Sequence, residues 1–99
     1  MCGIVAYTGR QLAREVLIEG LKRLEYRGYD SSGIVILNNP PYWARTVGKV
    51  AALEQRVWQD SPSGGVGIAH TRWATHGKPT ETNAHPHVDC SGRIFLAHN

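Results

Sequence analysis

Residues 33–47 read Gly-Ile-Val-Ile-Leu-Asn-Asn-Pro-Pro-Tyr-Trp-Ala-Arg-Thr-Val. Gly33 to Leu37 is a run of branched apolar residues stopped by Asn38, Asn39, Pro40 and Pro41, the composition of a buried strand that runs into a turn. Tyr42 to Val47 is rich in strand formers and returns as its hairpin partner.

Moving toward the N-terminus, Gln11 to Glu25 places Ala13, Leu17, Leu21 and Leu24 at helical spacing, with Arg14, Glu15, Glu19, Lys22 and Arg23 elsewhere on the wheel. This predicts an amphipathic helix with one buried face. Gly28 is its expected stop, as a glycine in the left-handed conformation. Ile4 to Tyr7, closed by Thr8 and Gly9, predicts a strand with Cys2 at its leading end.

Toward the C-terminus, Val50, Leu53 and Val57 give a weaker helical pattern over Val50 to Gln59, ended by a loop from Ser61 to Gly65. Val66 to His70 and Ile94 to Ala97 read as two further strands. Between them, Thr71 to Val88 follows neither period and is dense in Gly, Pro, Thr, Asn and His, which marks a functional loop or lid. A helix and strands in alternation, then mostly strands, fit an α+β layered sandwich.

The composition bounds the function. Ninety-nine residues suit one domain or part of one, and 41% apolar with 19% charged residues is a folding composition. The net charge of +3 is scattered along the chain, which argues against a nucleic-acid partner. No apolar run approaches the roughly 18 to 20 residues of a membrane span, and the first residues lack a secretory pattern, so a cytoplasmic location is expected. Cys2 and Cys90 are too few for a disulfide scaffold and are expected to be free thiols.

Cys2 has a chemical option that an internal cysteine lacks. Removal of Met1 would leave a thiol and an α-amine of reference pKa about 7.7 to 8.0 on one residue, so that nucleophile and base coincide. Amide hydrolysis further needs an oxyanion donor and a grip on the substrate. Asn99, at a strand end, is either such a donor or the start of a turn. Arg72 can clasp a carboxylate bidentately or form a surface ion pair, and Trp73 can cover a small substrate or anchor packing. A zinc-binding module is the alternative, with His70, His76, His85, His87, Cys2 and Cys90 as possible ligands, although the chain has no Cys-x-x-Cys pair and no His-Glu-x-x-His helix.

Five ordered motifs carry a resemblance: Cys2-Gly3-Ile4-Val5, Glu25 to Gly33 (Glu-Tyr-Arg-Gly-Tyr-Asp-Ser-Ser-Gly), His70 to Gly77, Asn83-Ala84-His85-Pro86-His87 and His98-Asn99. Together they resemble the glutaminase domain of the glucosamine-6-phosphate synthases, the isomerising glutamine:fructose-6-phosphate aminotransferases. Other class II glutamine amidotransferases share the opening motif and remain an alternative. The resemblance implies an N-terminal-nucleophile hydrolase fold, a four-layer αββα sandwich, of which residues 1–99 form an incomplete N-terminal portion. It implies that Cys2 hydrolyses the glutamine side-chain amide through a γ-glutamyl thioester. Arg72 would hold the substrate carboxylate, with Trp73, Thr75 and His76 in the loop that closes over it. Asn99 would serve the oxyanion, and Arg27 would support the cysteine. No cofactor or metal is implied. Fructose 6-phosphate would take the ammonia in further domains of a homo-oligomeric enzyme. The family's second oxyanion donor, a glycine, and an aspartate for the substrate's amino group follow Asn99 in that family, so residues 1–99 alone are expected to be nearly inactive.

Overall fold

The structure, a computed structural model, describes residues 2–73 and 77–99. Among the described residues, six strands and two helices follow the chain: β1 (Gly3–Thr8), α1 (Ala13–Leu24), a 3-10 turn (Glu25–Arg27), β2 (Ser31–Ile36), β3 (Tyr42–Val47), α2 (Val50–Asp60), β4 (Val66–Arg72), β5 (His87–Val88) and β6 (Phe95–Leu96). The protein is α+β. β1, β4, β2 and β3 lie in that order in one antiparallel sheet, and β5 pairs with β6 in a separate ribbon.

Strand alternation decides what each face of the sheet meets. Ile34, Ile36, Ala44 and Ala69 point to one face and form the core with Ala13, Leu17, Ile18 and Leu21 of α1 and Val50, Leu53 and Val57 of α2. Both helices therefore lie on that face, and each fully buried leucine there contributes about 1.5 to 3 kcal/mol by leaving water. The helix ends are closed by the surrounding chain, since neither N-cap residue bonds through its own side chain. Gly64 accepts the N–H of Ala13, and Glu25 accepts that of Val50. Ser61, at φ 49°, ends α2 in the left-handed conformation with its N–H on Val57.

The opposite face is covered in part by the 77–99 segment. Trp43 Nε1 donates to the Pro86 carbonyl at 2.8 Å and its ring meets Phe95 edge-on, so the β5–β6 ribbon lies against this side. Gly33 permits the approach, because a Cβ there would collide with the carbonyl oxygen of His85. Toward the Val66 end an apolar groove of about 290 Å³ stays open between Val35, Leu37, Ile68, Ile94 and Phe95.

Several local expectations shift. β4 runs on through Thr71 and Arg72, which the sequence pattern assigns to the loop, because β1 and β2 offer partners on both sides: Thr71 faces Gly3, and Arg72 faces Ser31. His87–Val88 is likewise a short strand inside the segment expected to be irregular. The last strand shrinks to Phe95–Leu96, since the Ile94 N–H is taken by the Asp89 carboxylate at 2.9 Å. Gly28 does stop the first helical segment, but at φ 145° and ψ 144° instead of in the left-handed helical well. The described residues hold one four-stranded sheet with helices on one side and a two-stranded ribbon on the other, where the resemblance implies two full sheets. No helix among them is long and apolar enough to cross a membrane.

Candidate active site

Gly3 pairs with Thr71, and continuing that register by one residue brings Cys2 opposite Arg72. The approach is close: a Cβ on Gly3 would lie 2.9 Å from Leu24 and 3.1 Å from the Thr71 hydroxyl. Cys2 is half-buried beyond the strand end. The Trp73 backbone N–H points at its sulfur at 3.4 Å, and the thiol faces the Trp73 carbonyl at 3.9 Å. One residue of β4's extension thus orients the sulfur from two sides.

Arg72 is almost fully buried at the end of β4. Its carbonyl accepts the Asp30 N–H at 3.0 Å, and its guanidinium donates to the Lys78 carbonyl at 3.1 Å. Asn83 Nδ2 donates to that same carbonyl at 2.9 Å, which fixes the start of the 77–83 segment beside the arginine. Trp73 is 52% exposed, so its indole is not a core anchor. Arg27 is half-buried in the 3-10 turn, within a segment held at Leu24 against Gly3 and at Asp30 against Arg72. Cys2, Arg72 and Trp73 are therefore brought to one corner of the sheet, and the segment carrying Arg27 borders it. Thr75 and His76 lie outside the described residues, as does Met1. Asn99 is exposed.

The histidines form a stack that the sequence pattern does not reveal. The rings of His70 and His85 lie 4.4 Å apart at 26°, and those of His85 and His87 lie 4.3 Å apart. His70 Nε2 is 3.1 Å from the His98 carbonyl, and the His98 N–H donates to His85 Nδ1 at 3.2 Å. Burial, with His85, Arg72 and His87 nearby, pushes the His70 pKa down to about 4. Burial, with His87, Arg72, His98 and Arg45 around it, does the same to His85. Among the described residues no group of three or more His, Cys, Asp or Glu side chains is arranged to hold a metal ion. Cys90 is a free, exposed thiol in the turn between β5 and β6. The signal available in the sequence is the Asn83 to His87 motif, whose residue types show neither the stack nor its contacts with His98.

Fold and corner together define an α+β protein with a free cysteine leading an edge strand, set beside a buried arginine. No family model matches the chain. Curated relatives do match it. The chain is 56% identical over 100 residues to the glutamine–fructose-6-phosphate aminotransferase (isomerizing) of Streptococcus agalactiae NEM316 and 58% identical to that of Acinetobacter baylyi. It is 50% identical to that of the archaeon Pyrococcus horikoshii. All of this chain is matched each time, against 16%, 16% and 17% of the respective relatives. The chain thus spans about a sixth of the length of these relatives, and it is a homologue of one part of the isomerising glutamine–fructose-6-phosphate aminotransferases.

Proposed function

We propose that this chain is the leading part of the glutamine-hydrolysing domain of an isomerising glutamine–fructose-6-phosphate aminotransferase, with Cys2 as nucleophile. The observation that carries this reading is the Cys2 thiol held by Trp73 beside Arg72, on a chain at least half identical to the three enzymes above.

The mechanism requires Met1 to be removed, so that the α-amine of Cys2 takes the thiol proton. The sulfur then attacks the side-chain amide carbon of L-glutamine, and the carbonyl electrons move onto oxygen, where the Asn99 side chain donates. Collapse expels ammonia, which carries off the proton held by the amine, and leaves a γ-glutamyl thioester. Water attacks the thioester and releases glutamate and the free thiol. Arg72 grips the substrate carboxylate through its guanidinium. Trp73, Thr75 and His76 close over the substrate, and Arg27 supports the cysteine corner. The ammonia goes to fructose 6-phosphate bound in domains outside these residues.

The fold we propose is the αββα arrangement of N-terminal-nucleophile hydrolases. The open apolar groove supports this, since a further sheet would cover it. A cytoplasmic, homo-oligomeric enzyme without cofactor, nucleic-acid or membrane partner completes the reading.

The test is made on a full-length protein carrying this segment. Intact mass should show loss of Met1, and Cys2→Ser and Cys2→Ala should abolish glutamate release from glutamine. Full-rate hydrolysis by either variant, or by protein that retains Met1, would overturn the proposal.

A further inference from the structure

Two imidazoles converge on the backbone of a single residue. A carbonyl only accepts, so His70 must carry its proton on Nε2 to donate to His98 at 3.1 Å. An N–H only donates, so His85 must present a bare Nδ1 to His98 at 3.2 Å. The two rings thus hold both hydrogen-bonding groups of His98: His85 can do so only as a neutral imidazole with a bare Nδ1, whereas His70 needs only its Nε2–H. The bare Nδ1 of His70 is buried without a partner, an acceptor left unmet, which costs less than a buried unmet N–H.

The held carbonyl belongs to the same planar peptide as the Asn99 N–H. Fixing its oxygen fixes the plane from which Asn99 departs. His70 itself is anchored in the centre of the sheet, two residues before Arg72 and opposite both Ile4 and Gly33, so the reference point is rigid. His85 is held in turn by its stack on His70 and by the packing of Gly33 beneath its carbonyl.

We infer that His70 and His85 are positioning residues that clamp the two peptides flanking His98, His85 the Ala97–His98 peptide and His70 the His98–Asn99 peptide, and thereby aim the Asn99 side chain at the oxyanion. This rests on the reading of Asn99 as an oxyanion donor. Neither histidine transfers a proton in the reaction. Burial, with His87, Arg72, His98 and Arg45 around it, keeps His85 neutral at working pH, the state its accepting Nδ1 needs, and burial keeps His70 neutral as well.

The experiment is a double-mutant cycle on glutamine hydrolysis by the full-length protein. His70→Leu should lower kcat by about tenfold or more and change KM for glutamine by less than about threefold, because the lost interaction is made with the transition state. His70→Gln, whose amide N–H reaches the Nε2 position, should restore most of the rate. His85→Asn should likewise outperform His85→Ala, because its Oδ1 replaces an Nδ1 acceptor. In an Asn99→Ala background, His70→Leu should have no further effect. Additive losses would show that His70 acts elsewhere and overturn the inference alone. An Asn99→Ala enzyme with unchanged kcat would overturn the reading of Asn99 itself, and the inference with it. Should His70→Leu fail to fold, the His85 pair run through the same Asn99→Ala comparison decides the question.

Discussion

The carboxylate of Glu25 accepts the backbone N–H of Val50 at 2.7 Å, so the turn that ends the first helix caps the second. Lys49, at the N-cap position, makes no side-chain bond of its own, which leaves Glu25 as the substitute cap and as a negative charge at the helix N-terminus. Glu25→Ala should cost about 1 kcal/mol, within the range for lost N-caps. Amide hydrogen exchange should show Val50 losing protection, with the rest of the core much less affected. Unchanged exchange at Val50 would show that the cap is not made in solution.

Acid should weaken the histidine stack. His70 titrates near 6.5 when unfolded and near 4 when folded, so above pH 6.5 it is neutral in both states and contributes no pH dependence. Between those values the unfolded chain binds a proton that the folded chain refuses, and stability falls as pH drops. The fall approaches about 1.4 kcal/mol per pH unit for His70, or about 3 kcal/mol by pH 4, and His85 adds a smaller share in the same direction. Urea midpoints should therefore decline between pH 7.5 and 5, and His70→Gln should flatten the decline. Equal midpoints for the wild type at both pH values would contradict the buried, neutral imidazole.

Gly33→Ala should be costly for a reason confined to one contact. The added methyl meets the His85 carbonyl oxygen, a backbone atom that cannot rotate away, so the 84–87 segment has to lift from the sheet. Overpacking of this kind costs about 1 to 3 kcal/mol. Proteolysis should find the 77–88 segment cleaved faster in the variant. Wild-type resistance would mean that the segment does not rest on β2.

Arg72 separates charge from geometry. Arg72→Ala should raise KM for glutamine, and Arg72→Lys should rescue only in part, because a point charge lacks the planar fork that meets a carboxylate with two parallel hydrogen bonds. Steady-state kinetics on the full-length protein read this directly. Equal kinetics for Arg72→Lys and the wild type would show that one charge suffices.

Elements with strong local period were legible in the sequence: the 33–47 hairpin, both helices and the strand after Cys2 appear within a few residues of their expected bounds. What was illegible depends on partners far along the chain. Thr71 and Arg72 are polar and look like loop, yet two neighbouring strands make them the end of β4. His87 and Val88 are too few to show alternation, and only Phe95 and Leu96 make them a strand. In the corner, residue chemistry marked Cys2, Arg72 and Trp73 as candidates, but the tie between Trp73 and the sulfur needed the sheet register. The histidine clamp was hidden for the same reason: its contacts join residues 28 and 13 positions apart, and nothing local announces a tautomer.

The Cys2–Trp73 contact spans 71 positions, and among the described residues β1 is an edge strand paired with β4. During synthesis, then, the first strand emerges and must wait while both helices and the central hairpin are made. The rest of the sheet can assemble without it, since β4 pairs with β2 on its other side. Docking of β1 is thus the late, long-range step, slowed by the loop it closes. Until it happens, Cys2 has no fixed neighbour on β4. The thiol becomes seated beside Arg72 and Trp73 only afterwards, so assembly of the corner follows assembly of the sheet.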